Sequence, residues 1–174
     1  MKKILIVSIA IVTIIIIASL FSKEFTYVWA EQCKVCHKTE KQGMQHPIWV
    51  ESGHSKSFTA LTSEKAIASA KEKELVPLPP ENPECLKCHA PLSNKAPELR
   101  QEGVTCEVCH GPGSEYKKIS VMKNREEAVK NGLIVYESTD AIKAQCLKCH
   151  ENAHEKEFNF AAAWDKIKHP IPEK

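Results

Sequence analysis

The chain has 174 residues with 24 basic and 22 acidic side chains, a net charge of +2. That near-balance gives no electrostatic footing for nucleic acid, and the length suits one modest domain. Aromatic residues make up 6% of the chain, and there are 6 glycines and 10 prolines. An ordinary hydrophobic core would therefore be thin.

Lys2 and Lys3 precede an apolar run of 18 residues, Ile4 to Phe21, interrupted only by Ser8, Thr13 and Ser19. A helix of that length spans about 27 Å, close to the ~30 Å hydrocarbon layer of a bilayer. The apolar part of a signal peptide is shorter, about 7–15 residues. The best cleavage site, after Ala30 with Val28 two residues before it, lies nine residues beyond Phe21. The run reads as an uncleaved anchor ahead of a removed signal. Either way the lysines keep the amino end in the cytoplasm and the rest lies outside the cytoplasmic membrane, periplasmic or extracellular. The expected organisation is residues 1–30 as anchor or signal segment with a short stalk, Lys23 to Glu31, and residues 31–174 as one domain.

A Cys-x-x-Cys-His stretch follows at once: Cys33, Cys36 and His37. Trp49, His54 and Phe58 then lie on an irregular-to-helical stretch. Ser63 can cap a helix running through Glu64 to Glu74. Pro77, Pro79, Pro80 and Pro83 stop it and lead in extended form to a second copy, Cys85, Cys88 and His89. Residues 90–105 separate this from a third, Cys106, Cys109 and His110. Gly111, Pro112 and Gly113 force a turn. Asn124 with Glu127 predicts a capped helix stopped by Gly132. Leu133 to Tyr136 reads as a brief strand. Thr139 or Asp140 can cap a helix that feeds the fourth copy, Cys146, Cys149 and His150. Asn159 begins a last helix, Ala161 to Lys168, ended by Pro170. Intervals of 52, 21 and 40 between first cysteines exclude a fixed-period solenoid.

The four copies use all eight cysteines. Cys-x-x-Cys pairs can build zinc sites, disulfides or a thioredoxin-like centre, but none of these needs a histidine after every second cysteine. The pattern is that of c-type haem attachment. Each thiol adds to a haem vinyl group, and the adjoining histidine gives its imidazole to iron. The expectation is four covalently held haems c, with 36 residues for each in the 144 after Ala30. The fold class is then mainly α with much irregular structure, a compact multihaem cytochrome c wrapped around its cofactors. His37, His89, His110 and His150 are the proximal ligands. Four further histidines, His46, His54, His154 and His169, match the number of distal positions. Met44 and Met122 are weaker alternatives.

Several of these residues resemble the tetrahaem cytochrome c-554 family. The signatures are Trp49-x-x-Ser52-x-His54 with Phe58 and Leu61, the run Glu102-Gly103-Val104-Thr105-Cys106-Glu107-x-Cys109-His110-Gly111-Pro112-Gly113-Ser114, and Phe158-Asn159-Phe160 with Trp164-x-Lys166-Ile167-x-His169-Pro170. The resemblance implies that His54 serves the third haem and that His169 returns to the first. It departs in one place. The family has a histidine shortly after the Cys-His-Gly-Pro-Gly run, serving the fourth haem, whereas Tyr116 and Lys117-Lys118-Ile119 stand here. That ligand is left to His46, His154, a neighbouring subunit or nothing. The family includes a member with a five-coordinate second haem. The chain is also similar to extracellular tetrahaem cytochromes that polymerise as filaments, in which one subunit's histidine completes a haem of the next, a part His46 could take.

Electron transfer between redox protein partners is the function these features favour, with a membrane contact through the amino-terminal run and possible homo-oligomerisation. No acid–base constellation marks a catalytic site. The alternative is a reductase acting on a small nitrogen compound at one open haem, with Tyr116 as a nearby residue. Lys34, Lys38, Lys87, Lys117, Lys118 and Lys148 lie beside the sites, either guiding an acidic partner or, as the better reading, simply solvated.

Overall fold

A computed structural model describes residues 24–151 and 153–170. The apolar run Ile4 to Phe21 falls outside them. Among the described residues no helix is long and apolar enough to cross a membrane. The chain is mainly α with much irregular structure, and no strand occurs among the described residues.

Ten α-helices follow in order: α1 (Ala30–Lys34), α2 (Gln45–Glu51), α3 (Ser57–Leu61), α4 (Glu64–Glu72), α5 (Pro83–His89), α6 (Cys106–His110), α7 (Ile119–Met122), α8 (Arg125–Lys130), α9 (Thr139–His150) and α10 (Phe160–Ile167), counted among the described residues. Most are too short to persist alone and depend on their ends being satisfied. Ser63 Oγ accepts from the Ala66 amide at 3.2 Å and starts α4. Asn124 Oδ1 accepts from the Glu127 amide at 3.1 Å and starts α8, which Gly132 follows at φ +104°. Asn159 Oδ1 does the same for α10 through the Ala162 amide, at 3.0 Å. Helix α9 begins earlier than expected. Ser138, extended at φ −150° and ψ 159°, accepts from the Ala141 amide and leaves Thr139 and Asp140 in the first turn.

Two expectations change. Leu133 to Tyr136 is not a strand, because it has no ladder to join. Its Ile134 amide donates to the His110 carbonyl at 2.9 Å and simply ties the segment to the third copy. The proline-rich stretch is not purely extended either, since Pro79–Glu81 make a 3-10 turn. Asn82 converts that turn into α5. It is buried, its Oδ1 accepts from the Glu84 amide at 2.9 Å and its Nδ2 donates to the Pro77 carbonyl at 3.0 Å. Asn82→Ala is expected to destabilise the protein by about 2 kcal/mol, from a lost cap and a lost buried bond. Thermal unfolding followed by circular dichroism checks this, with Asn82→Asp, which keeps the cap, falling between the two.

The apolar core is small, as the composition predicts. Leu61, Leu86 and Ala90 form one buried cluster with Phe58 and Cys85 around it, and Leu99 and Ala128 are buried elsewhere. Polar anchoring compensates near the amino end. From Glu24 onward the expected stalk is docked along the third copy. The Val28 amide donates to Glu107 Oε2 at 2.8 Å and the Ala30 amide to Glu102 Oε1 at 2.9 Å. Thr26 and Ser114 exchange two bonds of 3.1 Å. Burial raises the carboxyl of Glu102 above the usual range and pushes that of Glu107 up to about 7.

Candidate functional site

Three of the Cys-x-x-Cys-His copies end a helix, with His89, His110 and His150 as the last residues of α5, α6 and α9. The first copy straddles the end of α1, where the His37 amide still donates to the Cys33 carbonyl at 3.0 Å. One helical turn sets both cysteines and the histidine on one side. No two of the eight cysteines are joined as a disulfide.

The copies touch one another out of sequence order. The Cys33 and Cys106 thiols are within hydrogen-bonding reach, joining first to third. Gln145 Nε2 donates to the Val108 carbonyl at 3.2 Å, joining third to fourth. Cys149 and Cys88 are again within reach, joining fourth to second. The spatial order is first, third, fourth, second.

Three of the four other histidines face a copy. The ring of His54 stands 6.1 Å from that of His150, centroid to centroid, His154 stands 6.0 Å from His89, and His169 stands 5.8 Å from His110. A metal ion bonded to one nitrogen of each ring at about 2 Å sets the centroids about 6 Å apart, so each gap is the width of one ion. These are facing pairs and not clusters. Among the described residues no three His, Cys, Asp or Glu side chains converge to hold a metal ion.

Neighbouring groups orient these rings. His89 Nδ1 pairs with the Ser57 carbonyl at 2.8 Å, which leaves its Nε2 for a metal. His37 Nδ1 pairs likewise with Gln45 Oε1 at 3.2 Å. Burial pushes His110 down to about 4 and lowers His54 and His150, so these imidazoles are held neutral, the form that ligates metal.

The pairing differs from the one the resemblance implies. His54 faces the fourth copy and not the third. Its carbonyl accepts from the Val104 amide at 3.0 Å, and the Ser57 hydroxyl lies between that carbonyl at 2.7 Å and the carbonyl of His89 at 2.8 Å, sharing its one proton between them. The His54 turn is thereby fixed on the side where the second and fourth copies meet. The His169 ring faces His110 of the third copy, while Gln45, whose Oε1 pairs with His37, donates through Nε2 to the Pro170 carbonyl at 3.0 Å and holds the tail beside the first copy as well. His46 faces no copy. It is 7% exposed, and its ring packs on Trp49 with centroids 5.4 Å apart. Tyr116 is a packing residue, buried, with its hydroxyl donating to the Gly111 carbonyl at 2.9 Å.

The lysines beside the sites are mostly engaged close by: Lys34 with Glu31, Lys87 with Glu84, Lys118 with Glu115, Lys117 with Gln32 and Lys148 with Gln145. Exposed pairs of this kind add little stability and leave little directed charge. Sequence reasoning passed over Gln45, Ser57, Glu102 and Glu107 as working residues. Gln45 and Ser57 carry no signal of their own. Glu102 and Glu107 stand in the most distinctive run of the chain, and a carboxylate between two cysteines of one motif was the available hint.

Comparison with known proteins fits this arrangement. Residues 32–111 match the family model described as cytochrome c554 and c-prime. That segment holds the first three copies, with His46 and His54. Cytochrome c-554 of Nitrosomonas europaea is 25% identical over 96 residues, which are 50% of this chain and 39% of that protein. The chain thus spans about two-fifths of that relative's length. No solved structure matches. By its Cys-x-x-Cys-His sites and the segment around them, the chain is similar to the cytochrome c554 and c-prime family.

Proposed function

We propose that this protein is a multihaem c-type cytochrome that carries electrons outside the cytoplasmic membrane, with one haem c on each of its four Cys-x-x-Cys-His copies. The observation that carries the reading is the set of three facing imidazole pairs, each joining a motif histidine to a histidine from elsewhere across a gap of 5.8–6.1 Å. Cys33 with Cys36, Cys85 with Cys88, Cys106 with Cys109 and Cys146 with Cys149 would hold the four groups, and His37, His89, His110 and His150 would be proximal. His154, His169 and His54 would be distal at the second, third and fourth. A haem held between two imidazoles supplies one-electron exchange with little change of geometry. The residues of the chain fix the rings, keep them neutral and set the polarity around them. The contacts from first to third, third to fourth and fourth to second give the order of any charge path through the molecule.

Intact-mass measurement and haem quantification of the mature protein test this. Four haem additions per chain are expected, and a bare polypeptide mass would overturn it. Partners on this reading are a redox protein donor and acceptor. The Ile4 to Phe21 run would hold the protein to the membrane, so it should resist extraction by alkaline carbonate and yield to detergent. Assembly of copies end to end would show as polymers in electron micrographs. The alternative, a reductase of small nitrogen compounds, would require one haem of the four to lack a second ligand.

Gln45 tunes the first site on this reading. A bond to Nδ1 raises the basicity of a ligating imidazole and favours oxidised iron. Gln45→Leu is expected to raise the reduction potential of one haem of the four and to leave the other three unmoved. Gln45→Glu should lower the same one. A spectroelectrochemical titration reads both.

A further inference from the structure

Residues 25–30 are a fixed part of the domain and not a loose tether. Thr26 and Ser114 exchange two bonds of 3.1 Å, and Glu107 and Glu102 hold the Val28 and Ala30 amides. The Phe25 ring packs on Gly132, where a Cβ would lie 3.2 Å from its Cδ2 and 3.0 Å from the Pro112 carbonyl oxygen. The stalk therefore starts against the turn that follows the third copy. This limits how far the domain can stand from the apolar run. Ser22 and Lys23 alone separate Phe21 from Glu24. Three residue steps reach at most about 11 Å, whatever conformation they take. The headgroup layer on each side of the hydrocarbon is about 5–8 Å deep. With Phe21 at the edge of the hydrocarbon, Glu24 lies in that layer or a few Å beyond it.

The surface around Glu24 suits that place. Glu24, Phe25, Tyr27, Lys95, Glu98 and Pro112 line one groove. Lys95 is exposed, and its Nζ stands 6.0 Å from the centre of the Tyr27 ring. An aromatic ring with a polar tip, beside a lysine on a long apolar stem, is favoured at a lipid–water boundary. Lys95 can meet a lipid phosphate, and Glu24 and Glu98 can meet the ammonium of an ethanolamine headgroup. One cation with two carboxylates suits a zwitterionic surface better than an acidic protein.

We propose that this groove lies against the headgroups of the bilayer that holds the Ile4 to Phe21 run. The domain is then seated on the membrane in one orientation, with the turn at residues 111–113, next to the third copy, toward the lipid. The inference rests on the membrane reading of the apolar run and deepens it from a tether to a docked surface. The occupant is the lipid headgroup layer, delivered by the shortness of the link and received by the groove.

The test uses the full chain with its haems in nanodiscs of phosphatidylethanolamine and phosphatidylglycerol. An amine-acylating reagent is added, and labelling is read lysine by lysine by mass spectrometry. The comparison is a variant with a flexible Gly-Ser insert of about ten residues between Ser22 and Lys23, which adds roughly 17 Å of reach. Lys95 is expected to be protected in the unaltered protein and to gain labelling in the insert variant. Lys65 and Lys71 are exposed on α4, which packs on α3 and the Pro79–Glu81 turn, and should label alike in both. The Tyr27 contact is common to the two proteins and cancels. Equal labelling of Lys95 in the two overturns the proposal, and so does protection that extends equally to Lys65 and Lys71. Protection that needs two chains in one disc assigns the groove to a second copy and overturns it as well. A chain that washes out of the disc, or a mature mass lacking the apolar run, sinks the anchor reading and the proposal with it, and is recognised before any labelling is done.

Discussion

Gly103→Ala is expected to lower stability by about 4 kcal/mol and to disturb the His54–His150 pair. Gly103 has φ +68° and ψ −126°, a region that other residues rarely enter. A Cβ placed there would lie 2.4 Å from Ser57 Oγ and 2.6 Å from the His54 carbonyl oxygen, with the Phe58 amide at 3.2 Å. The hydroxyl could rotate away, but the carbonyl is backbone and is already held by the Val104 amide at 3.0 Å. The turn bearing His54 must therefore move. Denaturant unfolding gives the first number. The second effect is a loss of low-spin character at one haem, and a variant that loses stability while keeping all its low-spin signal would refute the link to His54.

The other large effect belongs to Glu107, which is 2% exposed and accepts from the Val28 amide at 2.8 Å and the Gly113 amide at 2.5 Å. Glu107→Ala leaves one buried and one half-buried donor without partners, at a cost of about 3 kcal/mol. The same carboxyl makes stability depend on pH. Burial raises it in the folded protein to about 7, against an ordinary 4.5. The folded state therefore keeps its proton where the unfolded chain has released it. Its contribution is complete below pH 4.5 and is lost as the pH climbs through 7, a fall of about 3 kcal/mol. Glu107→Gln removes the titrating proton and should flatten this slope. Denaturation midpoints measured from pH 4 to 8 for both proteins decide it, and equal slopes would refute the assignment.

What the sequence disclosed follows from the range of each interaction. The motif cysteines and histidines stand within five consecutive residues, so one helical turn is enough to bring each set to one side. Ser63, Asn124 and Asn159 were legible as caps because a cap acts within three residues of itself. The capping residue of α9 was missed by one because Ser138, Thr139 and Asp140 all have suitable oxygens, and only the extended backbone of Ser138 selects among them. Histidine pairing was not legible. Which ring meets which copy depends on Val104 reaching His54, fifty residues away, and on Gln45 reaching Pro170 at the far end of the chain. The docking of residues 24–29 was hidden for the same reason, since Glu102 and Glu107 act on amides more than seventy residues earlier.

The row first, third, fourth, second interleaves the two halves of the chain. The first copy completes its surroundings only when the third has arrived, and the second only when the fourth has. On the proposed reading, a chain ending after His89 would hold its first two copies without the neighbours that complete them. Non-local closure of this kind is slow and cooperative. On the proposed reading, attachment on an open polypeptide would come before this closure.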